Sequence, residues 1–429
     1  MAPELSPSQR RAATLAALLG NALEWFDFAV YGYVATPLGR AFYPADNAGM
    51  QAVAAFGVFA VGYLMRPVGS LVLGPIGDLL GRRNMLSLSI VLMGGSSLLI
   101  ALLPTHAQWG PIAGVLLLLL RMLQGFSVGG EFTGSMTYAT EAARQGQEGQ
   151  LAALATAGGL AGFSLGSLSV ALLSDWLGND AMGAWGWRLP FALGAAVAML
   201  GLWMRRRMPE TLVAPSDALE LRAPSQLLAA MGQRLREVGR QGPLVLRIAA
   251  LVAFANVMFY VLFVFLVDYV GQQSGSSMAE ANGIATVVQT LGLPLVLLGG
   301  VLVDRLGKVP VNRWGNLLLA AVTPIVLPLA LSGGSRGLAL AQAVGVLPVM
   351  LTMGAQGAMA VELVAPRERC TVFSISYSLS MALFAGTSPL VCSWLLEQGW
   401  HWGPLVYSLL YAIPALWAVS SSRATIRSV

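Results

Sequence analysis

Apolar stretches of about 20 residues, the length at which a helix spans the hydrocarbon core of a bilayer, recur from one end of this chain to the other. Their breakers place helices near residues 13–38, 50–73, 85–103, 112–140, 151–174 and 187–203, with six more near 244–270, 279–303, 311–331, 338–363, 371–396 and 402–421. Only 10% of the residues are charged, against roughly 25% in a soluble domain, which excludes a water-exposed fold of this size. Glycine, at 49 residues, and proline, at 22, suit tightly packed and locally broken membrane helices. The expectation is an all-α integral membrane protein of twelve helices.

The positive charge that gives a pI of about 9.5 is dispersed among short loops, so it reports topology and excludes a nucleic-acid surface. With the amino terminus in the cytosol, Arg10, Arg11, Arg82, Arg83, Arg144, the set from Arg205 to Arg247, Arg305, Lys308, Arg313, Arg367, Arg369, Arg423 and Arg427 fall inside. Arg40, Arg188 and Arg336 fall outside. Cytoplasmic loops accumulate Lys and Arg, so both termini are expected in the cytosol of a bacterial-type inner membrane. Arg10 and Arg11 before an apolar run imitate a secretory signal, but that run holds Glu24 and Asp27 and is too long for a signal core; it reads as a retained first helix. Two cysteines, Cys370 and Cys392, are too few for a disulfide scaffold or a metal cluster and are expected as free thiols. Nucleotide-binding glycine patterns and zinc spacings are absent from the sequence, so no cofactor is expected.

Apolar character collapses between Arg205 and Gly242, where prolines and charges make a connector, part of it (225–238) with the makings of a surface helix. The chain therefore divides into 1–204, a linker 205–243, and 244–429. The halves repeat a motif: Gly74-Pro-Ile-Gly-Asp78-Leu-Leu-Gly81-Arg82-Arg83 joins helices 2 and 3, and Gly300-Val-Leu-Val-Asp304-Arg305-Leu-Gly307-Lys308 joins helices 8 and 9. Both read Gly-x3-Asp-x2-Gly-basic, the trace of a parallel repeat about an axis along the membrane normal.

Charges within the apolar runs carry the functional signal, because an ionised group near mid-bilayer persists only where it is paired, hydrated or titrating. Glu24 and Asp27, three residues apart, share one face of helix 1, which Tyr31 extends by a turn. Burial and like-charge crowding are what a carboxyl that binds and releases a proton near neutrality needs, so proton coupling is assigned to Asp27 first and Glu24 second. The rival reading is a salt bridge that never titrates. Arg121 lies about ten residues into helix 4, roughly 15 Å deep, and presents a fork suited to carboxylates. It either binds an acidic group of the solute or holds a helix 1 carboxylate. Arg66, beside Pro67 and Gly69, lines the inner vestibule or serves as a structural partner, and Glu131 is a gate or part of the substrate path. Asp268 and Glu362, near helix ends, read as snorkelling or gate-closing groups. The aromatic residues Trp25, Phe26, Tyr31, Tyr33, Phe254, Phe259 and Tyr260 offer cation–π faces to a quaternary ammonium, against a plainer reading as packing. Asp78, Arg82 and Arg83 are expected at the cytosolic surface as a latch, with Gly74, Gly81 and, in the second repeat, Asp304 and Arg305.

These motifs resemble the major facilitator superfamily, whose helix 2–3 loop carries the Gly-x3-Asp-x2-Gly-Arg-Arg signature. Within it, the chain resembles the metabolite:proton symporters, the branch of proline/betaine, citrate, 2-oxoglutarate and shikimate transporters. The stretches that carry this are Gly20 to Gly32, Arg66-Pro67-Val-Gly69, Gly74 to Arg83, and Arg121-Met-Leu-Gln124-Gly125 through Gly129-Gly130-Glu131 to Ser135. The resemblance implies two pseudo-symmetric six-helix bundles, alternating access, H+ as the coupling ion, a monomer, and Gln124 beside Arg121 in the substrate or coupling path. It also favours Arg121 as the holder of a helix 1 carboxylate. Efflux by antiport is the nearer alternative; superfamily antiporters show Gly-Pro-x-x-Gly-Gly in helix 5, whereas this chain has Gly158-Gly159-Leu-Ala-Gly162 without proline. A polytopic membrane enzyme is the more distant one, and the short loops, poor in His, Asp and Glu clusters, argue against it. The expected cargo is a small organic acid or a zwitterion.

Overall fold

A computed structural model describes residues 21–426 except 23, 46–47, 81, 130, 142, 144–145, 207–228, 230–231, 233–235, 237–238, 273–275 and 366–368; side chains at 48, 74–80, 82–86, 131, 134, 138–139, 141, 200, 204–206, 332, 369–371 and 422–426 also lie outside the description. The long described helices form twelve rods, with a short helix, His106–Trp109, ahead of the fourth. In the first half these are α1 (24–33, continued as α1b, Ala35–Phe42), α2 (Ala48–Leu80), α3 (Arg82–Leu102), α4 (Pro111–Ser127, continued as α4b, Glu131–Glu141), α5 (Glu148–Ala181) and α6 (Arg188–Arg206). In the second they are α7 (Gly242–Gly271), α8 (Met278–Leu306), α9 (Lys308–Ser332), α10 (Gly334–Glu362), α11 (Arg369–Ser380, continued as α11b, Ser388–Glu397) and α12 (Gly403–Leu410, continued as α12b, Ala412–Ile426). Eight described segments have the length and hydropathy to cross a bilayer, and α3, α4 and α6 hold shorter apolar stretches.

Polarity is inverted relative to a soluble protein. Leu102, Leu172, Leu291 and Ile413 are each more than 60% exposed, whereas Glu24, Asp27, Arg66 and Arg121 are buried. Leucine facing lipid costs nothing, and ionised groups move to the interior where partners exist.

The packing repeats with an offset of six helices. α3 lies against α6 as α9 lies against α12, and α2 against α4 as α8 against α10. Between halves, α5 packs along α8 and α10, while α11 packs along α2 and α4b. These pairings are one operation applied to both halves, the arrangement of two pseudo-symmetric six-helix bundles. Small residues set the closest approach: a Cβ at Gly300 would sit 2.6 Å from Ala153 Cβ and 2.9 Å from the carbonyl carbon of Gly149, so α5 and α8 touch almost backbone to backbone.

Several helices depart from the rods expected from hydropathy, in continuity or in length. α1 breaks at Val34 (φ −114°, ψ 23°), because Pro37 has no N–H for the carbonyl four residues back and its ring crowds that turn. α4, expected to run through 112–140, ends at Ser127 and resumes at Glu131 across the glycine pair. α2 continues to Leu80, well past the expected limit of residue 73. An apolar run marks where lipid ends, and helical hydrogen bonding continues beyond it. Three π-turns, Met182–Gly186 after α5, Val261–Phe265 in α7 and Met381–Ala385 in α11, have no signature in the sequence pattern. The expected surface helix at 225–238 lies almost wholly outside the described residues.

Candidate functional site: a buried charge cluster beside an aromatic cavity

The charges of the first half gather where glycine lets α2 and α4 meet. A Cβ at Gly125 would lie 2.6 Å from the carbonyl carbon of Gly62, and one at Gly69 would lie 2.7 Å from that of Phe126. With the two backbones this close, Arg66 and Arg121 both turn toward α1.

Arg66 Nη2 donates to Glu24 Oε1 at 3.3 Å, an ion pair whose partners are 2% and 4% exposed, and the guanidinium lies 4.6 Å from the Trp25 ring centre. Asp27 turns the other way, toward α3 and α6. Its Oδ2 accepts from Ser97 Oγ at 2.8 Å, and its carboxyl carbon lies 3.0 Å from where a Cβ at Gly194 would stand. The two acids share a helix face, as the spacing required, but they engage different neighbours and are not crowded together.

Arg121 makes no direct ion pair with either acid among the described contacts. Its Nη1 donates to Gln124 Oε1 at 2.7 Å, Gln124 Nε2 donates to Ser97 Oγ at 2.7 Å, and Ser97 completes the path to Asp27. The expected grip on a helix 1 carboxylate is thus relayed through two neutral side chains. The guanidinium is sandwiched against Tyr31 at 4.2 Å and Phe28 at 4.8 Å. Arg121 Nε and Nη2, Tyr31 Oη and Asp27 Oδ1 are buried with no hydrogen-bond partner.

Beside Trp25 a small cavity lies between the halves, lined by Trp25, Phe132 and Phe163 from one and Asn256, Tyr260 and Tyr377 from the other. Ring centroids lie 5.5 Å apart for Trp25–Phe132, 5.0 Å for Phe132–Tyr377 and 5.7 Å for Phe163–Tyr260. Trp25 Nε1 is a buried donor without a partner. Beside the cavity, Tyr63 and Tyr260 hydrogen-bond across the halves at 2.5 Å. Of the aromatic residues singled out in the sequence, Trp25, Phe259 and Tyr260 line this space and Tyr31 backs Arg121.

Near both ends of the molecule, described side chains cross between the halves. At the α1–α2 end, Asp268 Oδ1 accepts from the Thr36 backbone N–H at 3.2 Å, and Oδ2 accepts from Thr36 Oγ1 at 2.9 Å and Gln272 Nε2 at 2.8 Å. The carboxylate thereby caps the amino end of α1b that Pro37 exposes. Nearby, Gln289 Nε2 donates to Tyr33 Oη at 2.8 Å. At the α2–α3 end, Asp304 Oδ1 accepts from Gly149 N–H at 2.7 Å and Oδ2 from Gln150 N–H at 3.0 Å, capping α5 from the opposite half. Thr133 pairs with Ser374 across the halves at 2.5 Å, and within the second half Lys308 pairs with Glu362 at 2.9 Å.

Of the expected latch, Asp304 makes this cross-half contact and Arg305 is exposed. The side chains of Asp78, Arg82, Arg83 and Glu131, with Gly74 and the whole of Gly81, lie outside the described residues. Residues missed from sequence are Ser97, Thr36, Phe132, Phe163 and Tyr377. A lone serine or phenylalanine in an apolar helix has no pattern of its own, and only the packing of α3 and α11 reveals these. Cys392 is a buried free thiol; the Cys370 side chain lies outside the description.

Comparison with known proteins agrees with this geometry. The chain is 34% identical over 418 residues to the glycine betaine/proline/ectoine/pipecolic acid transporter of Dickeya dadantii, covering 95% of this chain and 82% of that one. It is 34% identical over 397 residues to the proline/betaine transporter of Salmonella typhimurium, covering 90% and 78%. Among solved structures, the partially occluded inward-open xylose transporter of E. coli superposes with a TM-score of 0.74 over 96% of each chain at 16% identity, a likeness of fold alone. The sequence profile of the Major Facilitator Superfamily matches residues 17–358. With the described helices in two related bundles, a buried polar cluster and transporter relatives matched over about four fifths of their length, this chain belongs to the Major Facilitator Superfamily and is a membrane transporter, not an enzyme.

Proposed function

We propose that the chain is a proton-coupled symporter that imports a small zwitterion bearing a carboxylate and a substituted ammonium group. One observation carries this reading: two buried guanidinium groups and two buried carboxylates form one cluster, and its Arg66 lies 4.6 Å from the ring of Trp25, a wall of the aromatic-lined cavity between the halves. Aromatic faces attract an ammonium deprived of water, and the unpartnered Trp25 N–H and guanidinium edges suit a carboxylate. The relatives named for glycine betaine, proline, ectoine and pipecolic acid favour a zwitterion over a plain organic acid.

Asp27 carries the proton. With Glu24 and Asp27 ionised, each carboxylate already has a guanidinium, and a substrate carboxylate docking at Arg121 would meet Asp27 as a second anion drawing on one cation, the substrate's ammonium lying apart against the aromatic rings. Protonated Asp27 frees Arg121 for that carboxylate. Glu24, held by Arg66, stays ionised and positions Trp25. Asp304 and Asp268 serve as opposed locks: each cap breaks when its end opens, and alternation exposes the cavity to one side at a time. The α2–α3 end and both termini are taken as cytosolic, residues 205–243 as the linker between the bundles, and the working unit as a monomer. Uptake is favoured over antiport because α5 lacks the proline of antiporter motifs.

The test is uptake of labelled glycine betaine and proline into proteoliposomes under an inward proton gradient. One charge moved through 100 mV supplies about 2.3 kcal/mol, or about 50-fold accumulation. Accumulation of that order, abolished by a protonophore and by Asp27→Asn, is the expected result. A transport rate indifferent to the gradient overturns proton coupling, and outward pumping overturns symport.

A further inference from the structure

We propose that Ser97 and Gln124 are positioning residues that make proton binding at Asp27 and carboxylate capture at Arg121 a single event. This rests on the proton-coupled reading above. Three hydrogen bonds of 2.7, 2.7 and 2.8 Å join the guanidinium to the carboxylate through these two side chains. Gln124 and Ser97 are fully buried, so water does not compete for their bonding groups.

The polarity of the chain follows from chemistry rather than from the placement of amide atoms. Arginine has only donors, so Gln124 must turn its oxygen to Arg121 and its nitrogen to Ser97. Ser97 Oγ then accepts from Gln124 and has its one hydrogen left for Asp27. All three hydrogens point from the cation toward the carboxylate, an order that favours the ionised acid. Protonation of Asp27 removes the charged acceptor at the end of the chain. Ser97 and Gln124 are then less polarised, and the guanidinium charge is no longer offset at its far end.

The edge of Arg121 left over by this arrangement is Nε with Nη2, both buried and unpartnered, with the unpartnered Tyr31 hydroxyl on the aromatic residue that stacks on the guanidinium. Nε and Nη2 form one side of the planar fork, the shape that receives a carboxylate through two parallel bonds. Gly62 borders this edge, where a Cβ would stand 3.5 Å from Nη2 and 3.6 Å from Nε. One guanidinium thus answers to two anions in the proposed cycle: Asp27 through the relay, and a substrate carboxylate on its unpartnered edge. One guanidinium balances one nearby carboxylate, so Asp27 is protonated while the substrate carboxylate is bound, the substrate's ammonium lying apart from this pair. The other titratable or charged groups around Asp27 are Glu24 and Tyr31 on α1, Arg66 and Tyr63 on α2, and Arg121 on α4; α3 and α6 present Ser97 and Gly194 to it. Glu24 is already matched by Arg66 and does not substitute in this exchange.

The experiment reconstitutes purified full-length protein and compares Ser97→Ala, Ser97→Thr and Gln124→Met, the last keeping side-chain volume while removing both relay bonds. Glycine betaine is the probe. Gradient-driven accumulation is measured beside counterflow exchange, which needs no net proton movement, and the pH at which uptake is half-maximal is recorded. In Ser97→Ala and Gln124→Met, accumulation falls at least tenfold while counterflow falls far less, and half-maximal uptake moves to higher pH, because the ionised acid loses its donor in the first and the polarisation of that donor by Arg121 in the second. Ser97→Thr, which keeps the hydroxyl, restores most of the accumulation and the wild-type pH profile. Two results overturn the proposal: accumulation and counterflow falling in equal proportion, or variants with wild-type ratios and pH profile. If Ser97→Ala does not fold, Gln124→Met and Ser97→Thr decide by the same criteria. Wild-type uptake that ignores the proton gradient removes the proton-coupled reading and this proposal with it; wild-type coupling with unaltered variants removes the relay alone.

Discussion

The two halves share one pattern of helix packing but solve the problem of polarity in lipid differently. Of the five buried charged residues among those described, four lie in the first half, Glu24, Asp27, Arg66 and Arg121, and Asp268 alone lies in the second. The equivalent interior of the second half is furnished with neutral amides: Asn256, Asn282, Gln289, Asn312, Asn316, Gln342 and Gln356 are all buried. Several of these serve backbone carbonyls, as Asn312 serves Ala355 and Gln342 serves Leu262. An amide needs about one good partner and never changes charge, whereas a buried ion needs a counter-charge and responds to a proton. The comparison teaches that a repeated fold is free to place its switchable chemistry in one copy and use the other as a wall and a gate.

Arg66→Leu tests the first half most severely. It leaves the Glu24 carboxylate buried without its guanidinium, and a broken buried pair costs about 3–5 kcal/mol. Thermal unfolding of the detergent-purified protein is expected to show a loss of that size. The double change Glu24→Met with Arg66→Met recovers most of the stability, because a well-packed apolar pair is tolerated where half an ion pair is not, yet it restores no transport. If Arg66→Leu unfolds no more readily than an amide variant of the second half, the contrast between the halves is lost.

Asp268→Asn addresses the exception, the lone buried charge of the second half. The amide retains one acceptor for Thr36 but gives up charge assistance, which roughly doubles a hydrogen bond. A loss of about 1–2 kcal/mol at that end is expected. A cysteine placed at Phe163, between the halves, should then react several-fold faster with an impermeant maleimide added from the α1–α2 side, measured with Cys370 and Cys392 replaced by serine. Faster reaction from the α2–α3 side instead would mean that Asp268 locks no gate.

How much of this was open to a reader of the sequence depends on the length scale of each signal. Bilayer thickness imposes a 20-residue rhythm, so all twelve helices were legible, and the motif at Gly74 and again at Gly300 disclosed the repeat. Glu24, Asp27, Arg66 and Arg121 stood out because charge in an apolar run is rare. Their pairing did not, since which acid meets which arginine depends on how closely glycines let α2 and α4 approach. Ser97 was invisible for a related reason: a hydroxyl costs little in lipid once it bonds a carbonyl of its own helix, so serine in a membrane span carries no message by itself. The break in α1 was signalled by Pro37, but the cap that uses it comes from Asp268, 232 residues away.

The mildest test concerns the amides themselves. The π-turn at Val261–Phe265 lies in α7, and the carbonyl of Leu262 within it receives a 2.8 Å bond from Gln342 of α10. Gln342→Leu removes that donor and strands the carbonyl, but it also removes the Gln342 oxygen, which is buried with no partner. The two effects oppose each other, and side-chain hydrogen bonds between membrane helices average about 0.6 kcal/mol, so a net loss below about 1 kcal/mol is expected. Proton-driven accumulation should stay within about twofold of wild type, since this bond carries no charge and ends on no titrating group. A collapse of accumulation in Gln342→Leu with folding intact would show that the second half shares in coupling through its amides, and the division of labour between the two bundles would have to be redrawn.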